Sequence, residues 1–128
     1  RSPNVHDGLA LTLCGLAAIG LLAVGVLALL SPQRLARSYG VPARELSTLA
    51  YVRAAGVRDV ILGLLFVTNV YLKDAFDLLI LCVAGLILSL ADFAIAFTAA
   101  GRKLHSEHGG HIGGAIGFAI LIALLLRP

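Results

Sequence analysis

Polar residues are sparse along this chain and gather in short clusters separated by four long apolar runs. The runs extend from about Leu9 to Leu30, Leu46 to Leu72, Ala75 to Ala100 and His111 to Leu126. A helix that crosses a bilayer needs about 20 mostly apolar residues, so the first three runs are long enough and the fourth is short. The short run leaves room for an earlier helix start within the His-rich stretch before it. The breaks between runs carry ordinary stop signals. Ser31-Pro32 ends the first run, because proline cannot continue a helix and restricts the residue before it. Tyr39-Gly40-Val41-Pro42 reads as a turn, and Glu45 to Thr48 opens the next helix. Lys73-Asp74 is a tight connection, and Gly101-Arg102-Lys103 closes the third run. The expected fold is an all-α integral membrane four-helix bundle, with one transmembrane domain over 1–128. A cleaved signal peptide is the rival explanation of the first run. That run is too long for one, and no basic lead with a small-x-small cleavage site accompanies it. Arg1 stands where a Met would begin a native chain, so a trimmed start is expected.

Composition agrees with lipid as the solvent. The chain is 59% hydrophobic and 13% charged, against about 45–50% and about 25% in a soluble domain. Mean hydropathy is +0.98. The net charge is +3, and basic residues cluster in two loops. Arg34, Arg37 and Arg44 follow the first run, and Arg102 and Lys103 follow the third. In a four-span chain those loops share one side, which the positive-inside rule makes cytoplasmic. A multi-pass protein with both termini on the non-cytoplasmic side is expected, and nucleic acid is not an expected partner. The partners expected are the bilayer and a lipophilic small molecule, with a homo-oligomer left open.

The chemistry lies in the few polar residues inside the runs. Arg58 and Asp59 sit side by side in the second, and charges within hydrocarbon are expensive and turn toward a partner, cavity or substrate. On a helix, Gly56, Asp59 and Gly63 fall on one narrow arc with Arg53 at its edge, so Asp59 is expected to point inward. Arg58 points about 100° away, toward another neighbour or toward the surface along its stem. Asp92 lies in the third run, about 13 Å from its cytoplasmic end, and Arg58 lies about 15–18 Å from the same edge. The matched depth predicts an Arg58–Asp92 pair that leaves Asp59 free to face a cavity, with Arg53 as an alternative partner of either carboxylate. His111 begins the fourth run and would cap the same pocket.

Other polar positions read more plainly. His105, His108 and His111 have a spacing that suits metal ligands on one helix face, yet Gly109-Gly110 interrupts them, and an interfacial polar loop with one inward histidine is expected instead. No metal or cofactor is predicted. Asn69 is expected to hydrogen-bond between helices. Cys14 and Cys82 lie inside apolar runs without a CxxC spacing and are expected as small core residues. Gly110, Gly113, Gly114 and Gly117 make two small-xxx-small steps that would let the fourth helix pack closely. A P-loop, G-x-S-x-G, H-E-x-x-H and a dinucleotide fingerprint are all missing.

The stretch Arg53-Ala-Ala-Gly-Val-Arg58-Asp59-Val-Ile-Leu-Gly63 resembles the centre of a family of small four-helix membrane proteins of bacteria and fungi, catalogued as domain of unknown function 4267. That family shows Gly-x-Arg-Asp in the second span, Asp in the third and His at the start of the fourth. The matching positions are Gly56, Arg58, Asp59, Asp92 and His111. The resemblance implies a membrane bundle and no assigned reaction.

Three functions fit. In the leading one the protein is an acid–base enzyme, of isomerase or cyclase type, acting on a lipophilic small molecule. Asp59 and Asp92 would be acid and base, Arg58 would hold the geometry of a carboxylate, and His111 would shuttle protons. Arg53, Gly56 and Gly63 would contact substrate. The second is a small proton-coupled transporter, although the first run has no charge and the chain has no Trp. The third is an accessory or structural membrane subunit.

Overall fold

The computed structural model describes residues 8–34, 46–99 and 109–127. Four helices account for almost all of them: α1 (Gly8–Leu30), α2 (Leu46–Leu72), α3 (Ala75–Ala99) and α4 (Gly109–Leu126). No β-strand occurs among the described residues. The protein is an all-α bundle of the membrane class. Three helices are long and apolar enough to cross a bilayer, and the fourth has a shorter apolar segment, His111–Leu126. That segment is about 24 Å long at about 1.5 Å per residue, somewhat less than the roughly 30 Å of a hydrocarbon core. α4 begins at Gly109, inside the His-rich stretch.

Local chemistry sets the helix ends. The Ser31 N–H still donates to the Leu27 carbonyl at 2.7 Å, and Pro32 can donate no such bond. At the α2–α3 corner Lys73 adopts φ 55°, the left-handed conformation that ends many helices. Its N–H donates to the Val70 carbonyl at 3.2 Å, and the Asp74 N–H to the Asn69 carbonyl at 3.2 Å. Asp74 then starts α3. Its carboxylate accepts from the Asp77 N–H at 3.0 Å, a capping bond on an otherwise orphaned donor.

The bundle is built from two closely packed pairs, α1 with α2 and α3 with α4, which approach one another less closely. Glycine makes the first pair. A Cβ on Gly56 would lie 2.6 Å from Ala28 Cβ and 2.9 Å from the Gly25 carbonyl oxygen. One on Gly25 would lie 2.8 Å from the Gly56 carbonyl oxygen. A Cβ on Gly63 would strike Leu22 at 2.7 Å. In the second pair Gly85 makes room for the Phe118 ring, which would lie 2.7 Å from an added Cβ. The pairs are joined in one half of the bundle by a core that includes Cys14, Phe66, Leu78, Cys82 and Phe118. The Phe66 and Phe118 rings stack at 6.0 Å between centroids. Cys14 and Cys82 are buried and free, with their thiols within hydrogen-bonding reach of each other.

The outer surface is apolar as well. Ile19, Leu30, Ile87 and Leu126 are each at least 60% exposed. A soluble monomer rarely tolerates a continuous apolar surface of that kind, whereas lipid covers it without penalty.

Candidate functional site

The gap between the two helix pairs is a cavity of about 520 Å³ lined by all four helices. Most of its wall is aliphatic, with Leu13 and Leu21 from α1, Leu62 from α2, Leu88 from α3 and Leu121 from α4. Its polar groups are Arg58, Asp59, Ser89, Asp92 and His111. Helix register explains the division between a polar and an apolar end. Asp59 precedes Phe66 by seven residues on α2, Asp92 follows Gly85 by seven on α3, and His111 precedes Phe118 by seven on α4. Three helices therefore contribute one polar layer and a second layer of Phe66, Gly85 and Phe118, about 10 Å apart at about 1.5 Å per residue. Phe118, seated on Gly85 and stacked on Phe66, forms part of the wall below the polar layer.

In the polar layer one guanidinium serves two carboxylates. Arg58 Nη2 donates to Asp92 Oδ2 at 2.8 Å and Nη1 to Asp92 Oδ1 at 3.3 Å. This two-pronged contact is the strong geometry for an arginine–carboxylate pair. It is also a polar tie between the helix pairs, since Arg58 belongs to α2 and Asp92 to α3. Arg58 Nε and Nη2 each donate to Asp59 Oδ1 at 3.3 Å. Both contacts fall on the same oxygen of Asp59, so Oδ2 is not committed to the guanidinium. Asp59 and His111 are buried, at 8% and 6% exposure.

The expected Arg58–Asp92 pair is thus present, and His111 joins Asp59 and Asp92 on the same cavity. The expectation that Asp59 stands apart from Arg58 needs correction. The arginine stem starts on another face of α2, yet its length lets the head fold back over the adjacent carboxylate. Arg53, Gly56 and Gly63 also sit elsewhere than expected. Arg53 is exposed and outside the cavity wall. Gly56 and Gly63 are consumed by the α1–α2 seam, where no substrate could reach them. The arc shared by Gly56, Asp59 and Gly63 does face inward, but it faces α1 at the glycines. Asn69 is buried, and its amide donates to the Leu65 carbonyl of its own helix at 2.9 Å instead of bridging to another. His105 and His108 lie outside the described residues. Among the described residues no cluster of three His, Cys, Asp or Glu side chains suits a metal ion.

Sequence reasoning missed several wall residues. Gly117 and Gly20 line the cavity with open space where a Cβ would be. Gly113 faces open space too, whereas Gly114 meets a neighbour, Ser89 Oγ at 3.0 Å. Tyr51 was also missed. It borders a second crevice of about 20 Å³ shared with Asp92 and His111, enough for about one water molecule. The repeated seven-residue spacing from the polar layer to the second was the one available signal for Phe118 and Gly85.

Fold and site together define a small integral membrane helical bundle with a polar-headed, apolar-bodied cavity. The family profile described as Domain of unknown function (DUF4267) matches residues 18–125, and the chain belongs to that family. No curated protein and no solved structure matches it.

Proposed function

We propose that the protein is an intramembrane acid–base enzyme that rearranges a lipophilic small molecule held in the cavity between the helix pairs. One observation carries this: Asp59 is buried on the wall of an apolar cavity, with Arg58 bound to one of its oxygens and the other left for a ligand. Asp59 Oδ2 takes a proton from an O–H or C–H of the substrate and returns it at a second position. A proton removed and restored leaves the composition unchanged, as isomerisation and many cyclisations require. Asp92, with both oxygens on Arg58, is a positioning residue that keeps the guanidinium in place. His111 and the water-sized crevice beside it offer a route by which the proton exchanges with solvent.

Incubation of wild-type protein in heavy water with a lipophilic extract of its native membranes tests this. A deuterium-labelled product of unchanged composition is expected with the wild type. General acid–base groups contribute about 10²–10⁴-fold, so Asp59→Asn should reduce labelling by at least about 100-fold while the protein remains folded by circular dichroism. Equal labelling with wild type and Asp59→Asn would remove Asp59 from the chemistry. The loose seam between the pairs also favours a second reading, a small proton-coupled transporter, in which the cavity opens alternately. Such a protein moves its ligand across vesicles and leaves it unlabelled.

The arginine and lysine bias of the first and third loops puts the polar layer in the cytoplasmic half of the bundle. A Lys73→Cys variant is expected to react with an impermeant maleimide outside intact cells, and Ser106→Cys is expected to be protected. The opposite pattern reverses the orientation.

A further inference from the structure

We infer that the cavity accepts a neutral or cationic amphiphile whose head donates hydrogen bonds, and that it rejects anionic lipids and fatty acids. The inference names the substrate class and rests on the cavity being the substrate site of the proposed enzyme. Charge balance is the first support. With His111 counted neutral, the polar layer holds two carboxylates, Asp59 and Asp92, against one guanidinium, Arg58. Arg58 spends both Nη groups and Nε on those carboxylates, so it presents no uncommitted fork to an incoming anion. Of the two carboxylates, Asp59 keeps an oxygen outside the guanidinium's contacts, the acceptor Oδ2, and the Ser89 hydroxyl and the His111 ring line the same layer beside it. A carboxylate or phosphate head there would face like charge where water is scarce, and the repulsion is far larger than in water. A hydroxyl or amine head instead gives Asp59 a charge-assisted bond, the stronger kind.

Shape is the second support. The wall runs along α4 from His111 to Leu121, about 15 Å at about 1.5 Å per residue. With about 520 Å³ of space, the cavity falls in the roughly 300–1,000 Å³ range of small-molecule sites. The body of the ligand is therefore apolar, up to about 15 Å long, and lies toward Phe118 and Leu121 with its head at Asp59.

The test uses the full chain in phosphatidylcholine nanodiscs and equilibrium dialysis against one rigid tricyclic hydrocarbon bearing a hydroxymethyl, an aminomethyl or a carboxylate head. Binding in excess of protein-free nanodiscs is expected for the hydroxyl and amine compounds, at least about tenfold tighter than for the carboxylate, a difference of about 1.4 kcal/mol. Asp59→Asn should shrink that discrimination to within about threefold, because the residual carboxylate charge is then matched by Arg58. Gly117→Leu, which fills the cavity from a position with open space around it, should abolish binding of all three compounds in a protein of unchanged melting temperature. Equal or tighter binding of the carboxylate overturns the inference, and so does a lack of excess binding by every compound. Discrimination is read without turnover. Head-group selectivity without deuterium transfer would therefore discard the enzyme and keep the ligand class. Deuterium transfer to an anionic substrate would do the reverse.

Discussion

Arg58→Ala is expected to destabilise the purified protein by about 3 kcal/mol, the lower end of the range for stripping one partner from a buried ion pair. The lower end applies because the Arg58 side chain keeps 31% of its exposure, whereas Asp92 keeps 17% and Asp59 11%. Its loss strands two carboxylates in an apolar setting and removes the polar tie between helix pairs. Asp92→Ala alone leaves Arg58 still paired with Asp59, so it should be milder. The double variant Arg58→Ala/Asp92→Ala should be more stable than the sum of the single losses implies, with a coupling of about 1–3 kcal/mol. Melting curves in one detergent give all four corners of the cycle. Strict additivity would mean that the guanidinium and the Asp92 carboxylate do not act as a pair.

Gly56→Leu should do more damage still, and for a steric reason. Already a Cβ at this position meets Ala28 Cβ at 2.6 Å and the Gly25 carbonyl oxygen at 2.9 Å. The carbonyl is backbone, so no rotamer change relieves the clash and α1 must move off α2. Overpacking a well-filled core ordinarily costs about 1–3 kcal/mol, and a helix displaced along its seam exceeds that. Size-exclusion chromatography should show Gly56→Leu and Gly25→Leu as aggregate. Gly117→Leu, facing the cavity, should elute as the wild type does. A Gly56→Leu protein with wild-type elution and melting temperature would show that the α1–α2 seam is not packed through these glycines.

The contrast between Gly56 and Gly117 marks the limit of what was legible in the sequence. Helix positions followed from the apolar runs and their breakers, and α1 ends where Ser31-Pro32 says it should. The Arg58–Asp92 pair followed from counting helical rise, because antiparallel neighbours convert sequence distance into depth. Facing directions were harder. In water an apolar stripe marks the buried side of a helix, but in lipid the outer face is apolar too and the stripe vanishes. Asp59 could still be turned inward by its charge. Nothing comparable distinguished Gly56, pressed on α1, from Gly117, opening on the cavity. The same loss of contrast hid the Gly85–Phe118 fit and the meeting of Cys14 with Cys82. The fold-back of Arg58 onto Asp59 was missed for another reason. An angular placement of Cβ atoms ignores the reach of a long side chain.

The proposed chemistry depends on one guanidinium bridging two carboxylates at the head of the cavity. Magic-angle-spinning NMR in lipid bilayers measures that contact directly, with ¹⁵N in the arginine side chains and ¹³C in the aspartate carboxyls. Two carboxyl carbons are expected to be strongly dephased by guanidinium nitrogen. One signal should disappear in Asp59→Asn and the other in Asp92→Asn, and both contacts should be lost in Arg58→Lys, which keeps the charge but lacks the guanidinium nitrogens. Strong dephasing that survives Arg58→Lys, or an Asp92 carboxyl with no arginine contact in the wild type, would contradict the shared polar head.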